Sequence, residues 1–279
     1  MAFPKGQALD REGYPSVAAI RLLTRLIFVW FTKEKRLIPE ELFDRARLKT
    51  LLNSDPDLNA EDSSYYLAIV QNLFFATLSV EAGRDANGKE NRRWADHGAG
   101  MKNDRLVHSF YRYKPVFRDA DAALNIFSTI PFLNGGLFEC LDRELTERDL
   151  LRNPELKELA SKEGSGWVLR VDGFSRRTDA QPVVPNKLFF GGEAQADLNA
   201  DLGTRGKRYE VRGLLDIFST YKFTVEENTP VEAEVALDPE LLARFREPAC
   251  KLQRRHQVHR SQAIRLVLHA ARGGRLHGG

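Results

Sequence analysis

The stretch "GTRGKRYE", Gly203 to Glu210, places Arg205, Lys207 and Arg208 on a glycine-containing turn. Cations held there can meet a phosphate backbone, so these three are candidate DNA-backbone contacts; the same composition also suits a solvated loop. "VEENTPVEAEV" gathers Glu226, Glu227, Glu232 and Glu234. Metal-assisted hydrolysis needs acids that converge on an ion, commonly with a Lys nearby. No Lys or His follows at useful spacing, so these acids read as a solvated loop. Glu155-Leu156-Lys157 has the residue order of a nuclease core, but its context is helical and lacks a preceding strand and Asp. His97 and His108 are the only histidines before the basic C-terminal stretch, and neither has a second ligand at metal-binding spacing. Nothing beside Cys140 would lower its pKa, and it reads as a small buried hydrophobe. "PNKLFFGG" lacks phosphate-loop spacing, and no Gly-x-Ser-x-Gly elbow occurs. The residues themselves therefore assign no catalytic, cofactor-binding or metal-binding position.

The elements that must carry these residues read as mostly helical. Ser16 to Lys35 has Ile20, Leu23, Leu26, Ile27, Trp30 and Phe31 at helical spacing, with Arg21, Arg25 and Lys33 falling elsewhere. "IPEELFDRARLKTLL" restarts a helix, with Pro39 in a first-turn position. In "NAEDSSYYLAIVQNLFFATLSV" a stripe of Tyr66, Ile69, Val70, Leu73, Phe74 and Thr77 predicts a core helix, with Gln71 and Asn72 off the stripe. Glu81 to Gly100 is Gly-, Asn- and charge-rich and reads as a loop. "DADAALNIFSTI" is a shorter helix with Asp119 as its cap. "GWVLRVDGFSRR" alternates as a strand does, and "EVRGLLDIFSTYKF" is helical in period. "VEAEVALDPELL" ends by opening a helix at Asp238 and Pro239. The expected fold class is mainly α, with a few short strands and long irregular loops.

Charge divides the chain unevenly. Net charge is +3 over 279 residues, yet Ala243 to Gly279 holds nine of the 42 Lys and Arg and one of the 39 acids. Residues 1–242 keep 33 basic against 38 acidic groups, about −5, so the basic character belongs to the last stretch. Two cysteines, Cys140 and Cys250, suggest neither a disulfide framework nor a metal site, which fits a reducing, cytoplasmic compartment. The most apolar run, "AAIRLLTRLIFVWF", is interrupted by Arg21 and Arg25 and is too short for a membrane span.

Six strings agree in order and spacing: "RLLTRLIFVWFTKEKRLIPEELF", "YYLAIVQNLFFATLSV", "IPFLNGGLFECLD", "VDGFS", "VPNKLFFGG" and "IFSTYKFTVEENTPVEAEVALDPELL". Together they resemble the large bacterial fused type II restriction–modification enzymes, whose single chain carries nuclease, connector and adenine-specific DNA methyltransferase regions. The resemblance runs from about Gly13 to Leu242, with a looser stretch around Glu81 to Leu106. It implies a mainly helical region upstream of the methyltransferase. The parent activity it implies is methyl transfer from S-adenosylmethionine to adenine N6, paired with Mg-dependent DNA cleavage. The family's Asn-Pro-Pro-aromatic motif is absent from this sequence, so no family catalytic residue carries over. The implied partners are DNA, through the parent enzyme, and a methyltransferase subunit; no membrane is implied.

In the family, the helix opened at "VALDPELL" runs on to a Gly-x-Phe-Tyr-Thr-Pro motif. Here the pattern departs after Leu242. Codons permitted by the tail, read one base later, can spell a continuation that includes that motif. The expectation is two regions: 1–242, mostly helical, and 243–279, an out-of-frame basic tail, disordered or poorly packed. The chain would then be a catalytically incomplete fragment. The alternative expectation is a free-standing DNA-binding or scaffolding module for a separate methyltransferase, with the tail a real, salt-sensitive basic arm.

Overall fold

The computed structural model describes residues 14–56, 59–81, 92–95, 106–133, 136–192 and 194–220. The tail 243–279, the acids Glu226 to Glu234, His97 and the helix opening at Asp238 lie outside them. The chain divides at Ile217 into two compact units, and of the second only Phe218–Thr220 are described.

Helix α1 spans Tyr14–Glu34, as its periodicity predicts. Its buried side differs from the expected one: Ala18, Leu22, Arg25, Leu26, Val29 and Trp30 are buried, while Ile20 is 46% exposed. Arg25, expected off the core face, is 5% exposed. A partner far along the chain rotates the helix, as the site below explains. Pro39 caps a single 3-10 turn at Glu40–Leu42, and Asp44 then caps α2, Arg45–Leu51, accepting from Arg47 N.

Tyr66–Leu78 is a π-helix, closed by Ser79 N donating to Phe74 O at 3.2 Å. Every residue in it except Leu67 is buried. A helix apolar all round belongs inside a protein. Gln71 and Asn72, expected off the stripe, are as buried as the aromatics, and both find partners. Gln71 donates to Asp172 O at 2.9 Å and accepts from Tyr113 Oη. Asn72 exchanges two hydrogen bonds with the Arg112 backbone, at 2.8 and 2.9 Å. Buried amides persist only when satisfied in this way.

"PNK" fastens the start of this helix. Asn186 accepts from Tyr65 N and donates to Asn59 O and Ser64 Oγ, each at 3.1 Å, and Ser63 Oγ accepts from Val184 N at 3.0 Å. One helical turn follows, α6 at Lys187–Phe190. Gly213 then donates to Gly191 O at 2.7 Å, and a Cβ on Gly213 would collide with Phe189 O, so only glycine allows the approach.

Helix α3, Ala120–Ser128, starts as predicted, with Asp119 accepting from Ala122 N at 2.9 Å. Three short strands form one antiparallel sheet in the order β1 (Arg143–Leu145), β3 (Gly166–Leu169), β2 (Ser161–Glu163). Two one-to-two-turn helices, α4 (Glu147–Arg152) and α5 (Leu156–Leu159), pack on it around Leu145, Leu156 and Leu169. A second ladder pairs β4 (Ala194–Ala196) with β5 (Tyr209–Val211), with α7 (Asn199–Leu202) between them. Helix α8 covers Leu214–Thr220.

The mainly α expectation is thus corrected to a mixture of helices and short strands. Four of the five named strands are three residues long, too short for alternation to stand out in sequence. The expected strand at "GWVLRVDGFSRR" keeps only Gly166–Leu169; Arg170 to Phe174 leave it for a different task. Among the described residues no helix is long and apolar enough to cross a membrane.

Candidate functional site

The register of the three-stranded sheet sets up a buried charge lattice. Arg143 pairs with Leu169, so Asp142, one residue before β1, meets Arg170, one residue after β3. Asp142 Oδ1 accepts from the amides of Val171, Asp172 and Gly173 at 2.7, 2.8 and 3.1 Å. Its Oδ2 accepts from Phe174 N at 3.0 Å and Arg170 Nη1 at 3.2 Å. Gly173, at φ +66°, lets the consecutive amides curl around one carboxylate, the geometry of an anion-binding nest. Arg170 also grips Glu163 through Nε at 3.1 Å and Nη2 at 2.9 Å, a bidentate pair.

Asp172 is the second hub. It accepts from Arg21 at 2.8 Å, Arg25 at 3.0 Å and Leu141 N at 2.8 Å. Arg25 spends its other donors on Leu137 O at 2.8 Å and Glu139 O at 2.9 Å, and its guanidinium lies 5.1 Å from the Phe75 ring centroid. Burial pushes the Asp172 carboxyl up, but Arg25 and Arg21 outweigh it and hold the group below the ordinary carboxylate value. Burial and then the neighbouring Asp172 push Asp142 the other way, upward, against Arg170 and the amides. These residues join α1, the segment 137–142, the turn 170–174 and the π-helix. Sequence reasoning missed them; the available signal was Arg21 and Arg25 at i,i+4 inside an otherwise apolar helix. The lattice is saturated, so it is scaffold rather than reacting chemistry.

Arg205, Lys207 and Arg208 all lie exposed on the turn between α7 and β5. Asn199 knits that turn: its side chain accepts from Lys207 N at 3.1 Å and Thr204 Oγ1 at 2.8 Å and donates to Lys207 O at 2.8 Å. Gly203 and Gly206, at φ +62° and +66°, make its two left-handed bends. Among the described residues no carboxylate forms an ion pair with these three cations.

His108 and Cys140 line one cleft. Burial, then Arg112 and Arg170, lower the His108 pKa to about 4, and its buried Nε2 has no hydrogen-bond partner. The folded protein therefore keeps the imidazole neutral, while the unfolded chain takes up its proton near pH 6.5. Between pH 6.5 and about 4 the unfolded state holds the extra proton, so stability falls as pH falls, by about 3 kcal/mol from this group. His108→Leu should flatten that acid limb in urea titrations at pH 7 and pH 4.5, and should cost little at pH 7 because no hydrogen bond is lost. Burial pushes the Cys140 thiol well up, which keeps it protonated and unreactive.

Glu155 precedes α5 on the surface, and among the described residues no group of three or more His, Cys, Asp or Glu is placed to hold a metal ion. The named strands pair only antiparallel. No protein-family model, curated protein or solved structure matches the chain.

Proposed function

We propose that this chain is a connector-type region of a DNA restriction–modification protein of the fused type II kind. The whole protein methylates adenine N6 with S-adenosylmethionine and cleaves DNA; these residues serve as scaffold and DNA-backbone contact. What carries the reading is the set of six ordered strings, five of which meet in the structure. "RLLTRL" supplies Arg21 and Arg25, "LFECLD" supplies Asp142 and the carbonyls that bind Arg25, and "VDGFS" supplies Asp172 and the amides that bind Asp142. "VPNKLFFGG" fastens the start of the helix in "YYLAIVQNLFFATL".

The basic turn gives the DNA-contact half of the proposal a direct test. Fluorescence anisotropy with a labelled duplex, run across a salt series, compares the chain with Arg205→Glu/Lys207→Glu/Arg208→Glu. If each cation meets one phosphate, the slope of log K against log salt should fall by about 2 to 3 in the variant. The tail is common to both proteins, so the difference isolates the turn. Equal slopes would remove the turn from the DNA interface. The parent activity is tested separately: the gene extended through the neighbouring frame should transfer labelled methyl groups to adenine N6, and no transfer by the extended protein would sink it.

A further inference from the structure

The cleft that holds His108 lies at the end of the π-helix Tyr66–Leu78, whose cap residue Ser79 forms part of its wall with Val80. Its volume is about 580 Å³, within the range of small-molecule sites. The opposite wall is the segment Glu139 to Arg143, positioned by Arg25 and Asp172 through Glu139 O and Leu141 N.

We propose that this cleft binds a small organic cation, an amidinium or protonated amine on a flat apolar body. Independent features favour positive charge. Glu139 lines the cleft, is exposed, and has no ion-pair partner among the described residues. The helix that ends at Ser79 presents the negative end of its dipole to the same wall. The cation in the lining, Arg143, is already paired with Asp149 at 3.3 Å. Behind the wall, Arg170 is matched by two carboxylates, Asp142 and Glu163. Arg112 keeps its charge but is held away by the Phe110 and Val107 carbonyls and the face of Phe174, so the carboxylate of Glu139 must outweigh it.

His108 lines the cleft as a neutral imidazole at pH 7, so it adds no positive charge that would repel a cation. Val80 and the exposed Leu141 offer apolar surface for the body of the ligand. The site uses neither the basic turn nor the tail, so it stands or falls apart from the restriction–modification reading.

The test is isothermal titration of the full chain with benzamidine at pH 7. Benzoate, similar in shape with the opposite charge, is the control. Benzamidine should bind with a millimolar or tighter Kd, a range suited to so small a ligand, and benzoate about tenfold more weakly or not at all. Glu139→Gln should weaken benzamidine about tenfold. The Glu139 side chain is exposed and only its backbone oxygen holds Arg25, so that variant should keep the wild-type circular dichroism spectrum. Equal affinity for benzoate, an unchanged Kd in Glu139→Gln, or no benzamidine binding would each overturn the proposal. Tighter binding of N-acetyl-arginine amide than of benzamidine would place the cation on a peptide, and would overturn assignment to a free small molecule.

Discussion

Asp142→Asn should destabilise the protein by about 3 to 5 kcal/mol, despite keeping the size and shape of the side chain. Asp142 accepts five hydrogen bonds, four from consecutive backbone amides and one from Arg170. An asparagine retains one acceptor oxygen. Its amide nitrogen would have to face either the three donors at Oδ1 or the Phe174 amide and Arg170 at Oδ2. Donor then opposes donor around a fully buried side chain, and each orphaned amide carries its own desolvation cost. Arg170 would lose Asp142 while keeping its pairing with Glu163. Since domains are stable by only about 5 to 15 kcal/mol, the variant should sit near its unfolding threshold. Urea unfolding followed by circular dichroism should show a lower midpoint with an unchanged slope. A loss under about 1 kcal/mol would mean that water satisfies the amides of the 171–174 turn and that the nest does not hold it.

Arg25→Met should cost nearly as much, about 3 to 5 kcal/mol, for the complementary reason. Methionine preserves the stem that packs beside Phe74 and Phe75 but removes every polar contact of the guanidinium. Asp172 keeps Arg21, whose side chain is 21% exposed, and loses its deeper partner. The carbonyls of Leu137 and Glu139 lose their donor as well. Asp172→Asn alone should also be costly, because it strands Arg25. The double variant Arg25→Met/Asp172→Asn should be less destabilised than the sum of the two singles, by about 1 to 3 kcal/mol, because neither charge is then left alone. Denaturant melts of the four proteins give that coupling directly. Strict additivity would show that the 3.0 Å contact contributes nothing as a pair.

Both experiments probe residues that the primary sequence hides. Helix α1 was legible from its spacing, and so was α3, whose Asp119 cap is written beside it. Local signals suffice there because a cap and an apolar stripe act within one or two turns. Arg25 was not legible: an arginine inside an apolar run reads as solvent-facing until its partner, 147 positions away, is in view. Gln71 and Asn72 are the same case, since their satisfaction comes from Asp172, Tyr113 and Arg112. The basic turn was legible as a turn with three cations, because glycine spacing is local, but the Asn199 side chain that braces it was not.

The sequence by itself determined the helical periods, the caps, the glycine turns, the charge imbalance confined to residues 243–279 and the ordered strings that resemble one enzyme family. Each of these is a short-range property of composition and spacing. Only the tertiary structure decided which charges are buried, which face of α1 is inward, and that Asp142 and Asp172 join segments remote in the chain. The physical reason is desolvation. A buried charge is tolerable only beside its partner, and the partner's position is set by strand register and helix packing.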